Sequence, residues 1–129
     1  MKKVFYVYHN ANPSFRCSDS TEGMEFKLVA KVMASSIDEV WRLTNNVDGS
    51  WSKGEFIDYG KGSRRNGDYS KDITVMCPLP VHDGVEYGLR SSSVGDVIHY
   101  ENKWMMVDIS GWKEITKPNA IKQVPEADI

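Results

Sequence analysis

Polar and apolar positions alternate along the early chain and recur at helical spacing soon after. Residues 3–8, KVFYVY, are β-branched and aromatic without a break, which predicts a strand covered on both faces. In MEFKLVAKVMA, residues 24–34, Phe26, Leu28, Ala30 and Val32 alternate with Glu25, Lys27, Val29 and Lys31, the period of a strand with one dry face. Ser36 then stands three positions ahead of Glu39, a capping box that starts a helix. Ile37, Val40, Trp41 and Thr44 fall on one side of that helix, and Asp38 and Arg42 are spaced to pair on the other. Asn45, Asn46 and Asp48-Gly49 supply residues that end it. Near the C-terminus DVIHY and KWMMVDI flank Glu101-Asn102, the pattern of a β-hairpin.

The segments between these elements are rich in turn formers. HNANPSFRCSDSTEG, residues 9–23, reads as a loop, and Gly49 to Asp72 as a long glycine-rich one in which only EFIDY resembles a short strand. Loops of that length without structure are uncommon in compact domains and are usually functional or mobile. DITVMC is a further short strand, stopped by Pro78 and Pro80, and VHDGVEYG is turn-rich. The expected fold is therefore α+β over residues 1–116. A small antiparallel sheet carries one short helix, a long glycine-rich loop and a C-terminal hairpin, followed by an extended or disordered tail at 117–129.

Composition narrows this picture mainly by exclusion. A chain of 129 residues that is 40% hydrophobic supports one core. Sixteen basic against eighteen acidic side chains leave a formal charge of −2, so no global field draws it to DNA or to an anionic membrane. Cys17 and Cys77 have neither disulfide-framework nor zinc spacing and read as reduced thiols. The N-terminal apolar run of about five residues is too short for a signal sequence or a membrane span. A cytoplasmic protein without membrane contact is expected.

Candidate chemistry is sparse. YGKGSRR places Gly62 where a phosphate-binding P-loop needs Ser or Thr. What remains is a basic cluster of Lys53, Lys61, Arg64, Arg65 and Lys71, interrupted by Glu55, Asp58 and Asp68. It is either solvated surface or, with Trp51, Tyr59 and Tyr69 close in sequence, a grip for an anion or a base. His9, His82 and His99 lack metal-ligand spacing, and no G-x-S-x-G elbow surrounds Ser110. In RSSSVGD the hydroxyls of Ser91, Ser92 and Ser93 before a Gly-Asp turn can serve only to satisfy nearby backbone donors. Alternatively, Arg90 adds charge and the serines add hydroxyls and free N–H groups, forming a small anion-binding nest.

RSSSVGDVI, its spacing to MMVDISGWKEI, and LTNN followed by Trp51 resemble a family of short, mostly uncharacterised proteins of bacteriophages and bacterial mobile elements. That family's pattern runs R-S-x-S-V-G-D-V and closes on G-F/W-x-E-I, and the C-terminal hairpin is similar to that of YodL-like domains. The likeness extends over most of residues 4–115, with its specific part in residues 90–115. It departs in the basic insertion from Lys53 to Lys71 and in a single tryptophan after the helix where relatives often show two. The resemblance implies a phage setting and brings no catalytic residues.

The function expected from these readings is a small non-enzymatic, phage-encoded binding protein in the bacterial host cytoplasm. It would modulate or inhibit a host process or defence system by binding a host protein or a nucleotide-like anion. Trp51, Arg64, Arg65, Arg90, Ser91, Ser92 and Ser93 are the expected contacts, because loops on a rigid scaffold carry binding residues. No metal or cofactor is expected. The alternatives are a nucleic-acid accessory protein using the basic aromatic loop, and a small hydrolase whose carboxylates leave no local motif. An open sheet edge makes a homodimer a further expectation.

Overall fold

The two early apolar segments pair with each other. In the computed structural model, which describes residues 2–11, 25–58, 62–118 and 121–122, Lys3–Asn10 (β1) runs antiparallel to Phe26–Ala34 (β2). The loop expected over 9–23 lies, from residue 12 on, outside the described residues, as do Cys17, Tyr59, Lys61 and the tail beyond 122. After β2 come the helix Ile37–Leu43 (α1) and the short strands Phe56–Asp58 (β3), Ser63–Arg65 (β4), Ile73–Val75 (β5), Val81–His82 (β6) and Val85–Glu86 (β7). Val97–Tyr100 (β8), Lys103–Asp108 (β9), Gly111–Ile115 (β10) and Ile121–Lys122 (β11) complete the chain order. One sheet runs β10-β9-β8-β1-β2-β11, with β5 also pairing β2, while β3-β4 and β6-β7 are separate ribbons. The architecture is a mostly antiparallel sheet with one short helix, the α+β class expected.

The alternation in β2 breaks at one point. Val29, expected on the wetter side, is only 2% exposed. Val7 pairs with Ala30 and Tyr8 with Leu28, so Val29 is the extra residue of a β-bulge, which bends the strand and resets its phase. Apolar residues thereby cover both sheet faces. On the helix side Phe5, Val7, Ala30, Val32 and Ile98 pack beneath Val40 and Trp51. On the reverse Tyr8, Phe26, Val97 and Met106 form a second cluster flanked by Trp104 and Leu28. Its cross-strand pair His99 and Trp104 stacks at 4.0 Å with 7° between the rings.

Local chemistry explains the ends of these elements. Ser36 Oγ accepts from Glu39 N at 3.2 Å, but Glu39 accepts from Ser35 Oγ, so the cap uses a neighbouring hydroxyl for its second half. Asp38 accepts from Trp112 Nε1 at 2.9 Å, and Arg42 forms no ion pair among the described residues, so the expected Asp38–Arg42 pair is not made. Burying one edge of Trp112 against the helix requires a partner for its indole N–H, which Asp38 provides. Glu101 and Asn102 take φ of 48° and 61°, the double left-handed turn that matches strand twist in the β8-β9 hairpin.

The segment from Gly49 to Asp72 is not irregular throughout. It contains the β3-β4 ribbon, and Asn66, 3% exposed, pins both sides of it. Asn66 Oδ1 accepts from Ser50 N and Asp68 N, while its Nδ2 donates to Ser50 O at 2.6 Å and Gly54 O at 2.9 Å. Gly49 is required beside it, since a Cβ there would lie 2.1 Å from Asn66 Oδ1 at a φ of 151°. At the other end of the chain, Ile121 and Lys122 pair in parallel with Phe26 and Lys27, so the domain reaches past the boundary expected at 116.

Asn66→Ala removes the amide that satisfies these main-chain groups. Leaving several of them buried and unpaired costs about 2 kcal/mol. Denaturant unfolding should show a lower midpoint with an unchanged slope, and amide exchange should accelerate over residues 50–58.

Candidate functional site

The stretch Arg90–Asp96 folds around its own carboxylate. Asp96 is 1% exposed and accepts from Arg90 through both ends of the guanidinium, Nη1 to Oδ2 and Nη2 to Oδ1, each at 2.7 Å. Ser93 N donates to Oδ2 at 2.7 Å and Asn10 N to Oδ1 at 2.8 Å. Arg90 also donates to the carbonyls of Ser91 and Asn10. A buried carboxylate is tolerated when its charge is matched and its lone pairs are filled, and both conditions hold here. The concavity expected to hold an external anion, built of a cation and backbone N–H groups, does exist. Its occupant is Asp96.

The other expected contacts join the same structure. Ser92, 3% exposed, donates from N to Thr44 O at 2.9 Å and from Oγ to Thr44 Oγ1 at 2.8 Å. Ser91 Oγ accepts from Asn46 N at 2.8 Å. Trp51 is 1% exposed; its N–H groups donate to Asn46 Oδ1 and, from Nε1, to Arg90 O at 2.8 Å. Of the expected ligand contacts, Trp51, Arg90, Ser91, Ser92 and the N–H of Ser93 thus make their bonds within the chain and close the fold over the helix C-terminus. Arg64 and Arg65 are exposed on β4, remote in role from this knot, and as adjacent residues of a strand they project to opposite faces of their ribbon.

His9, Ser92 and Asp96 invite comparison with a catalytic triad, and the geometry argues otherwise. His9 Nε2 is 3.2 Å from Ser92 Oγ and 3.9 Å from Asp96 Oδ2, so one nitrogen faces both groups. A triad places them on opposite ring nitrogens, with the carboxylate orienting the base. Thr44 Oγ1 donates to Val40 O and Ser92 Oγ to Thr44, so Ser92 accepts from His9 and the protons run toward the helix end. Burial pushes the His9 pKa down to about 4, Asp96 opposes that and Arg90 adds to it, which keeps the imidazole neutral at pH 7. Trp51 covers the ring edge-on at 5.9 Å. Among the described residues no group of three His, Cys, Asp or Glu side chains is arranged to hold a metal ion.

Exposed apolar side chains occur on the two ribbons, and also at Val47 and Ile109, which are 83% and 84% exposed. Phe56 on β3 is 60% exposed, and Val81, Val85 and Tyr87 in or beside β6-β7 are 59%, 51% and 51% exposed. A cleft of about 780 Å³ opens between the ribbons, walled by residues 56–58 on one side and 84–86 on the other. Lys53 bridges it, donating from Nζ to Glu86 O at 2.8 Å. The β6-β7 ribbon was legible: Asp83-Gly84, with φ of 53° and 78°, is a two-residue hairpin turn flanked by Val81 and Val85. Reading VHDGVEYG as turn-rich missed its strands. A second hollow of about 420 Å³ lies beside the helix C-terminus between Arg42 and Tyr69.

Comparison of the chain with protein-family models, with curated proteins and with solved structures returns no match. No helix among the described residues is long and apolar enough to cross a membrane.

Two outcomes follow from the knot. His9 binds its proton about pH 4 when folded and near 6.5 when unfolded, so between those values the unfolded chain holds more protons. Stability is full above pH 6.5 and falls by about 3 kcal/mol as pH drops to 4. His99, lowered by burial and by Lys117, acts in the same direction. His9→Gln should flatten most of the slope in unfolding measured across that range, and an unchanged slope would exclude His9 as its source. Arg90→Met should cost about 3 kcal/mol at neutral pH by stranding Asp96. It should also raise the His9 pKa, followed by NMR titration, because Arg90's repulsion is gone while Asp96 remains.

Proposed function

We propose that the chain is a small non-enzymatic binding protein, phage-encoded as its C-terminal resemblance implies, that engages a host protein through the cleft between its two ribbons. In this reading it acts in the host cytoplasm and modulates a host process or defence system. The observation that carries the proposal is the pair of large apolar side chains Phe56 and Val85, each at least half exposed on opposite walls of one cleft, with Val81 and Tyr87 also exposed on the second ribbon. Single exposed apolar residues are ordinary on protein surfaces, whereas a contiguous group rimmed by charge is characteristic of interfaces. Arg64 and Arg65 supply that rim on β4, and Asp83 and Glu86 supply it on the other ribbon.

A protein partner is favoured over a nucleotide-like anion by the use of Arg90 and Ser93. Their charge and N–H groups are already taken by Asp96, which removes the best-formed anion site from service. A protein surface also matches what the ribbons offer, apolar anchors surrounded by polar groups of both signs.

The test compares the wild type with Phe56→Ser/Val85→Ser, a variant altered only at exposed positions and expected to unfold within about 0.5 kcal/mol of the parent. A host protein retained by the wild type and lost at least tenfold in the variant supports the reading. Equal retention of every captured protein by both forms refutes it. Native mass spectrometry of the purified protein serves the anion reading: a co-purified nucleotide would replace the protein partner.

A further inference from the structure

Arg42 sits in the last turn of α1, one helical turn past Asp38, and loses that partner because Asp38 accepts from Trp112 Nε1 at 2.9 Å. Glu39, three positions back, accepts from Ser35 Oγ at 3.1 Å. Arg42 forms no ion pair among the described residues, and its side chain lines the hollow of about 420 Å³ beside the helix end. That hollow shares no lining residue with the cleft between the ribbons.

The opposite wall is formed by residues 67–70. Gly67 N donates to Asp48 O at 3.0 Å, and an added Cβ on Gly67 would lie 2.9 Å from that same oxygen, so glycine lets this wall close on the loop that follows the helix. Asp68 Oδ2 accepts from Val47 N and Asp48 N, each at 2.7 Å. Those bonds tie the carboxylate to the loop and leave it unpaired with Arg42. One cation and one carboxylate thus line the hollow without meeting. Apolar surface accompanies them at Val47 and at Tyr69, which is 44% exposed and packs on no other aromatic ring among the described residues.

We propose that this hollow binds a free α-amino acid with an apolar side chain. Opposite charges held apart across a gap set a field along it. A ligand that carries both charges gains at each end, whereas a simple anion gains at one and is repelled at the other. Arg42 takes the ligand carboxylate through its guanidinium fork. Asp68 takes the ammonium through Oδ1, since Oδ2 is filled by two N–H groups. The ligand side chain lies against Tyr69 and Val47, where a ring and a branched aliphatic group offer contact area without a charge to desolvate. The volume suits a ligand of this size, as small-molecule pockets begin at roughly 300 Å³. A nucleotide-like dianion is disfavoured by the carboxylate that the ammonium needs.

The probes are free phenylalanine and leucine, their amides, their N-acetyl derivatives, and free glycine, each titrated into the full-length protein and followed by amide chemical shifts. At least one of the two free amino acids should shift residues 42–47 and 67–70. It should bind at least tenfold more tightly than its amide, its acetyl derivative and glycine, which lack the carboxylate, the ammonium and the side chain in turn. Arg42→Gln should weaken the free amino acid at least fivefold and leave its amide unchanged. Asp68→Asn, which keeps an oxygen for Val47 N and Asp48 N, should weaken it and leave the acetyl derivative unchanged. Arg42 is exposed, so the first variant folds as the parent does and decides the matter if the second does not. The assignment is overturned by no shift with either amino acid, by shifts confined to another surface, or by an Arg42→Gln loss shared equally by amino acid, amide and acetyl derivative. Equal affinity for the acetyl derivative also overturns it, and identifies a polypeptide C-terminus as the ligand.

Discussion

The carboxylate of Asp96 is the point on which the fold closes. Buried in its ionised form without partners, it would cost several kcal/mol, and Arg90, Ser93 N and Asn10 N remove that penalty together. The same contacts join segments far apart in sequence. Asn10 is the last residue of β1, Arg90 begins the connection into β8, and Val107 N donates to Asp96 O at 2.9 Å, bringing in β9. Because the guanidinium is planar and bidentate, the tie fixes orientation as well as distance. A lysine in its place would keep the charge and lose the geometry.

Around that tie the serines act as spacers between β1, the helix end and the connection. His9, Ser92, Thr44 and Val40 O form one donor chain, and Asn46 bonds Ser91, Leu89 and Trp51 at once. Thr44, Asn46, Trp51 and Arg90 to Asp96 are widely separated in sequence, yet they meet in one place. Their spacing is thus understandable as a packing constraint, with no chemistry on a ligand required.

The regular parts of the fold were legible because each rests on a local rule. The Ser36 cap, the strand over residues 3–8 and the Glu101-Asn102 turn are set by residues a few positions apart. The phase change at Val29 was not legible, since a bulge depends on the register of the neighbouring strand. Trp51 misled for the same reason: its place after a helix in a polar loop gave no sign of the apolar face of β1 and β2 that it covers. Arg90 and the serines showed the right chemistry, an anion site. Only the fold could show that the anion is six residues further along the same chain. The strand in EFIDY was legible as β3, whereas β4 and the β6-β7 ribbon were missed for another reason. They are short, and the Asp83-Gly84 signal was outweighed by the turn formers around it.

Consuming its own polar groups in the core has a consequence for where this domain can bind. The central sheet is covered on the helix side by Val40 and Trp51, and the connection holding Arg90 is engaged with Asp96, so neither offers loose donors or bare apolar surface. The β3-β4 and β6-β7 ribbons belong to neither core cluster, and each is a two-strand unit marginal on its own. Asn66 anchors the first through side-chain amide bonds to Ser50 and Gly54, and Ser52 Oγ ties the approach to the second by accepting from Leu89 N at 2.7 Å. Their roots are therefore fixed. A binding surface benefits from such fixed roots, because a partner gains most when it covers apolar groups that the free protein has already oriented.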